Sequence, residues 1–203
     1  MAENSENSNS ENSNSENPSS EIIDKIADHY RQILLLIGED PEREGLLNTP
    51  QRAAKALWFL TRGYRQNLTE VVNGAMFETP SKNMIVVRDI EFYSLCEHHI
   101  LPFFGSVSVG YLPGKKIVGL SKIARIVDVF ARRLQVQERF AQQLCDALTE
   151  QLDARGVIVK CNARHLCMQM RGVQKQNSST VTFATSGEFT SDESLRLQFL
   201  NSL

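Results

Sequence analysis

Two clusters of soft ligands, far apart in the chain, constrain this sequence more than any other feature. Cys96-Glu97-His98-His99 places a thiol and two imidazoles side by side, and Arg164-His165-Leu166-Cys167 adds an imidazole and a thiol two positions apart. Thiolate and neutral imidazole are ligand types that zinc prefers, and a Cys-x-x-His spacing lets both reach one ion when the chain turns between them. Either cluster alone has a plain explanation, since free cysteines are commonly buried and a lone histidine is more often a core or surface residue than a ligand. Together they call for a fold that carries two distant segments to one point. A compact structural finger instead brings its ligands in two close pairs.

The pattern of apolar residues suggests how the two segments meet. Ile22, Ile26, Tyr30, Ile33, Leu34 and Ile37 recur at helical spacing up to Gly38. A second helix starts at Asn48-Thr49-Pro50, with Thr49 as N-cap and Ala53, Ala54, Leu57, Trp58 and Leu60 as its buried stripe. These two make an N-terminal helical hairpin within a helical region spanning 21–82. Arg52 and Lys55 share a face of the second helix, and on composition alone they read as solvent-facing.

Residues 83–95 and 103–112 read as strands, so the Cys-Glu-His-His segment occupies the connection between them. Gly119-Leu120-Ser121-Lys122 opens a helix with Ser121 as N-cap, and Lys122 and Arg125 lie on one side of its first turn, where an anion would be welcome. Exposed cations on a capped helix are the plainer reading. Another helix covers 138–153 with Cys145 buried, and Gly156 ends it. With a period of two, a strand over 157–170 puts Cys161, His165, Cys167, Gln169 and Arg171 on one face, and Ile158, Leu166, Met168 and Met170 on the other. A fourth strand runs from Thr180 to Phe189 with a bend at Gly187, and Ser191-Asp192-Glu193 caps a short last helix. The order implies an α+β fold with an antiparallel four-stranded sheet over 83–203.

Composition excludes several classes. Residues 1–20 repeat Asn, Ser and Glu with almost no apolar residue, and are expected to be a disordered tail. Removing its four glutamates takes the net charge from −2 to +2, too weak a positive balance for a nucleic-acid binder. No apolar run approaches a membrane span, and the N-terminus lacks the core of a secretory signal, so a soluble, cytoplasmic protein is expected. Four cysteines in that compartment are thiols or metal ligands rather than disulfides.

The runs CEHHILPFFG (96–105), VGLSKIARIVDVFARRLQVQERF (118–140) and RHLCMQMRGV (164–173), with NTPQRAAKAL (48–57), closely resemble GTP cyclohydrolase I. The resemblance covers about residues 21 to 203 in order and spacing. It implies a tunnelling fold, in which subunit sheets join edge to edge into a barrel, and a homo-oligomer, a decamer of two pentamers with active sites at subunit boundaries. It implies zinc ligands Cys96, His99 and Cys167 with an open fourth position, and catalytic His98 and His165. Ser121, Lys122 and Arg125 match residues around the ribose and triphosphate, and Arg171, Arg52 and Lys55 match further phosphate ligands. Gln137 and Glu138 match the guanine-recognising pair.

The implied reaction converts GTP to 7,8-dihydroneopterin triphosphate with release of formate, the first step of folate and pterin biosynthesis. Zinc lowers the pKa of a bound water towards about 7, purine C8 is the atom attacked, and a protonated His165 near N7 makes C8 more electrophilic. His98 and Ser121 are the candidates for proton handling at the ribose. The motifs specify neither a regulatory partner nor an allosteric ligand. Two other readings remain at this stage: a zinc-stapled binding module, which needs a fourth protein ligand from His98, His165 or Cys161, and a tunnelling-fold relative acting on another purine or pterin.

Overall fold

The computed structural model describes residues 20–72 and 74–203. The expected tail lies outside these residues, apart from Ser20, which opens the first helix. The chain divides into two units between Trp58 and Phe59.

The first unit contains α1 (Ser20–Leu36) and most of α2 (Thr49–Leu60). Ile23, Ala27 and Ala54 are buried together, with Ile26, Tyr30 and Trp58 packed against them. This face is turned from the expected stripe, and Ile22, Ile33 and Ile37 are exposed. The helices meet over the small Ala54, so α1 is covered along a narrow strip and its apolar C-terminal end, including Leu36 at 85% exposure, stays uncovered. Thr49 is the first helical residue rather than the cap, and its hydroxyl donates back to the Gly45 carbonyl.

The second unit begins with a 3-10 turn (Arg62–Arg65) and α3 (Leu68–Val72). It continues through β1 (Met76–Glu78), β2 (Ile85–Cys96), β3 (Pro102–Leu112), β4 (Lys116–Val118) and α4 (Leu120–Ala131). Then come β5 (Leu134–Gln135), α5 (Gln137–Leu152), β6 (Gly156–His165), α6 (Leu166–Gln169), β7 (Thr180–Gly187), α7 (Glu188–Ser191) and α8 (Glu193–Asn201).

The four long strands pair antiparallel, as expected, and their order is β2-β3-β6-β7; β1 pairs with β4 separately. The two-residue β5 is an addition: it lies parallel to the end of β2, matching Leu95 with Leu134 and Cys96 with Gln135. Alternation along the strands sends Phe92, Phe103, Val107 and Val159 to one face. There they bury against Ile123, Ile126 and Phe130 of α4 and Phe140, Leu144 and Leu148 of α5. One end of the other face is covered by Phe189 and Phe199, which pack on Leu112 and Ile158. Tyr93, Val181 and Phe183 remain exposed on it.

Several boundaries differ from expectation. The β6 strand stops at His165, and Leu166–Gln169 make a single helical turn instead of continuing the alternation. The β3 register ends at Phe103 opposite His165, since the remaining Pro102 has no N–H to offer, and the β7 register ends at Ala163 opposite Thr180. Past that point the backbone must find its partners locally. The Gln169 and Gln176 side-chain amides each bond the other residue's carbonyl and close the loop. The N-cap of α4 is Gly119, with Ser121 inside the first turn. The left-handed C-cap of α5 is Asp153 rather than Gly156. The bend at Gly187 is present: φ is 54°, and a Cβ there would lie 2.0 Å from the Arg155 carbonyl oxygen, so only glycine fits. Asp192 caps α8 as expected, accepting from the Leu195 N–H at 3.1 Å.

Candidate active site

Sheet register carries the two ligand clusters together. Cys96 ends β2, His165 ends β6, and the start of β3 lies between them, with Pro102 opposite Leu95 and Phe103 opposite His165. Two strand spacings, about 10 Å, thus separate the strand ends that bear the clusters. The connection from β2 to β3 is tight. Cys96 N–H donates to the Leu101 carbonyl at 2.8 Å, and Ile100 N–H donates to the Cys96 carbonyl at 2.7 Å. This closure holds Ile100 at φ 53°, a left-handed conformation that costs a β-branched residue on the order of 1–2 kcal/mol.

In return, the turn sets both imidazoles beside the Cys96 thiol, with His99 Nδ1 at 3.8 Å and His98 Nδ1 at 3.9 Å from Sγ. Glu97, between them, is tied down on two sides. Its N–H donates to the Gln135 carbonyl at 3.0 Å, and its carboxylate receives Arg139 of α5. That guanidinium holds the Glu97 carboxyl below its ordinary range. Gln135 is itself buried, donating through Nε2 to the Phe130 carbonyl and to Gln143 Oε1, both at 3.0 Å.

Cys167 reaches the same point from the helical turn after β6. The ligand atoms of Cys96, His99 and Cys167 all lie within 4.8 Å of one another. Tetrahedral zinc bonds of 2.0–2.3 Å imply ligand–ligand edges of about 3.3–3.8 Å, and the 3.8 Å Cys96–His99 separation lies at the upper end of that range. Burial and then the adjacent Cys96 thiol push the Cys167 thiol up, while Arg171 pulls it down. Two neighbouring sulfur atoms and an imidazole nitrogen are a donor set suited to a divalent cation between them. Among the described residues the group has three members. His98, His165 and Cys161, the candidates for a closing fourth ligand, do not join it. Cys161 lies in the core, where burial pushes its thiol up to about 12.

His165 stands beside the group without belonging to it. Its ring stacks on Phe103, with centroids 4.7 Å apart and planes 2° from parallel, and Nε2 lies 2.8 Å from Gln137 Oε1. Burial lowers its pKa, and the charge of Glu138 partly restores it. Glu138, on the exposed side of the first turn of α5, lines the same cleft as Cys96, His98, His99, Gln137, His165 and Cys167.

Residues 26–203 match the GTP cyclohydrolase I family. The chain is 56% identical over 177 residues to GTP cyclohydrolase 1 of Campylobacter jejuni subsp. jejuni, covering 87% of this chain and 93% of that protein. It is 57% identical over 176 residues to GTP cyclohydrolase 1 2 of Pseudomonas putida, covering 87% and 95%. The chain belongs to the GTP cyclohydrolase I family.

The antiparallel sheet backed by α4 and α5 is this family's tunnelling fold, and the family is one of enzymes. The remaining residues singled out from the sequence do not all gather at the cleft. Arg171 is exposed and near enough to act on Cys167. Ser121 and Arg125 are exposed on the first turns of α4, and Lys122 Nζ donates to the Val71 carbonyl at 3.1 Å. Phe130, whose carbonyl bonds Gln135 beside the cleft, lies nine residues beyond Ser121 on α4, or about 13 Å along the helix. Arg52 and Lys55 are exposed on α2 in the first unit. Sequence reasoning missed Gln135, Arg139 and Phe103 as supports. The alternation in Leu134-Gln135-Val136-Gln137 was the available signal, because it sets two amides on one side of an otherwise apolar run.

Proposed function

We propose that this chain converts GTP to 7,8-dihydroneopterin triphosphate and formate, with zinc held by Cys96, His99 and Cys167. The observation that carries this reading is the three-membered Cys-His-Cys group sharing a cleft with His165 and Glu138. When bound, zinc supplies Lewis acidity that makes water a nucleophile near neutral pH. Glu138 accepts from the guanine N1–H and 2-amino group, a donor pair that adenine lacks, and so selects the base. His165 gives a proton to purine N7 as C8 is attacked. Burial that lowers its pKa also makes its protonated form a stronger acid, which favours the transfer. His98, exposed at the rim, serves proton transfers at the ribose, together with Ser121.

The site is completed by a second copy of the chain, in a decamer of two pentamers. The cleft offers about 210 Å³, less than the roughly 300–1,000 Å³ of ordinary small-molecule sites. Its lining holds the groups for the base, while Ser121, Lys122 and Arg125 lie elsewhere on the surface. A neighbour presenting the first turn of α4 supplies the triphosphate cradle, joined by Arg171 and, from α2, Arg52 and Lys55. Two open sheet edges, β7 and most of β2, and the exposed Val181 and Phe183 support such pairing. We place the reaction in the cytoplasm, where reduced thiols persist. No helix among the described residues is long and apolar enough to cross a membrane.

The test is incubation with GTP, following formate and pterin fluorescence, with and without a chelator. Both products are expected, lost on chelation and restored by zinc. Full turnover in verified metal-free protein would defeat this reading.

A further inference from the structure

Gln137 is held too firmly to read a base. It is 1% exposed, and its amide nitrogen lies 3.2 Å from the Cys161 carbonyl, 2.9 Å from the Thr180 carbonyl and 3.2 Å from Thr182 Oγ1. An amide nitrogen carries two hydrogens, so both are committed among these three acceptors. Turning the amide over would set its oxygen against two carbonyl oxygens, which fixes the orientation. The oxygen then faces His165 Nε2 at 2.8 Å, and a pure acceptor there requires the hydrogen to sit on Nε2. Phe103, fully buried and stacked flat on the imidazole, fixes the plane of the ring.

We infer that Gln137 is a positioning residue for His165 and not a reader of guanine. By accepting from Nε2–H it holds the imidazole in one tautomer and one orientation, with Nδ1 as the ring's unprotonated nitrogen. The inference rests on His165 being the acid–base group of the GTP reaction. Base selection falls to Glu138 alone of this pair. Glu138 is the next residue of α5, turned about 100° around the helix axis to the exposed side of the cleft.

The tautomer is read by NMR of zinc-loaded protein carrying 15N-histidine, with His165 assigned from its absence in His165→Ala among the four histidines. Protonated Nε2 and bare Nδ1 are expected in the parent, and a mixture of tautomers in Gln137→Met. A parent protonated at Nδ1 overturns the inference. In kinetics, Gln137→Met is expected to lose on the order of 10²-fold in kcat. KM for GTP should stay within about twofold, and the preference for GTP over ITP, which lacks the 2-amino group, should be unchanged. A raised KM or an altered preference with kcat retained makes Gln137 a base reader and overturns the inference. Should Gln137→Met fail to fold, Thr182→Val removes one orienting acceptor and is expected to lower kcat by a smaller factor with KM unchanged. A raised KM there counts equally against it. A parent that releases no formate from GTP defeats the reading of the reaction, whereas the tautomer measurement still decides the role of Gln137.

Discussion

The metal corner and the cation set are built in opposite ways. Cys96, His99 and Cys167 are delivered by adjoining strand ends, a closed turn and a chain of buried amides, so their ligand atoms are grouped within a single copy. Ser121, Lys122 and Arg125 stand on an exposed helical turn, and Arg52 and Lys55 on the exposed side of a helix in another unit. The contrast follows from range. Coordination tolerates errors of only about 0.2 Å and needs the rigidity of a sheet. Attraction between cations and a triphosphate acts over several ångströms and, in the assembly proposed above, is met by charges that a neighbouring surface brings.

Breaking the metal corner has the largest expected effect. Cys167→Ser should lose zinc and GTP turnover together, measured by elemental analysis and formate release. A variant that keeps its zinc and half its activity would place the ion elsewhere. The same corner can be left intact while its acid–base neighbour is removed. His165→Ala should retain zinc, because its ring is outside the ligand group. It should release formate some 10²–10⁴-fold more slowly, the range for a missing acid–base group. Loss of zinc in this variant would make His165 a ligand.

The cation set responds more mildly and distinguishes one copy from two. Each charge-assisted bond to phosphate is worth about 1.5–3 kcal/mol, so Arg125→Ala should weaken GTP use by roughly 10–100-fold, with strong dependence on salt. Arg125→Ala and Cys167→Ser chains, denatured and refolded as a mixture, should regain about a quarter of the parent's activity if each site draws on two neighbouring copies. A mixture no more active than its separate components would confine the site to one chain.

How far the sequence was legible depended on whether local preference agreed with pattern. Helices α4 and α5 and the long strands followed their apolar periods, and the split ligands pointed to a site formed by folding. The run after His165 was misleading because Leu166, Met168 and Met170 alternate like a strand. Leu, Met and Gln are nevertheless good helix formers, and with no partner strand left, propensity prevailed over pattern. Gly172, at φ 63°, was the overlooked sign of a turn nearby. The two-residue β5 has no sequence signature of its own and exists because Leu134 and Gln135 find the end of β2. The Gln137 amide is legible only in three dimensions, since its partners come from Cys161, Thr180, Thr182 and His165.

The smallest effect concerns the cost of the metal corner's rigidity. Ile100 is 55% exposed, so it gains little from burial, and yet it is held left-handed where β-branched residues are disfavoured. Asparagine tolerates that conformation better, so Ile100→Asn should stabilise the fold by about 1 kcal/mol, read as a higher denaturant midpoint at unchanged slope. No comparable gain should follow at the cation set, where Ser121, Lys122 and Arg125 lie in an ordinary helix. If Ile100→Asn is instead destabilising, the side chain contributes more by packing than the backbone loses by strain. The turn would then be held by its apolar contacts rather than by the pair of hydrogen bonds between Cys96, Ile100 and Leu101.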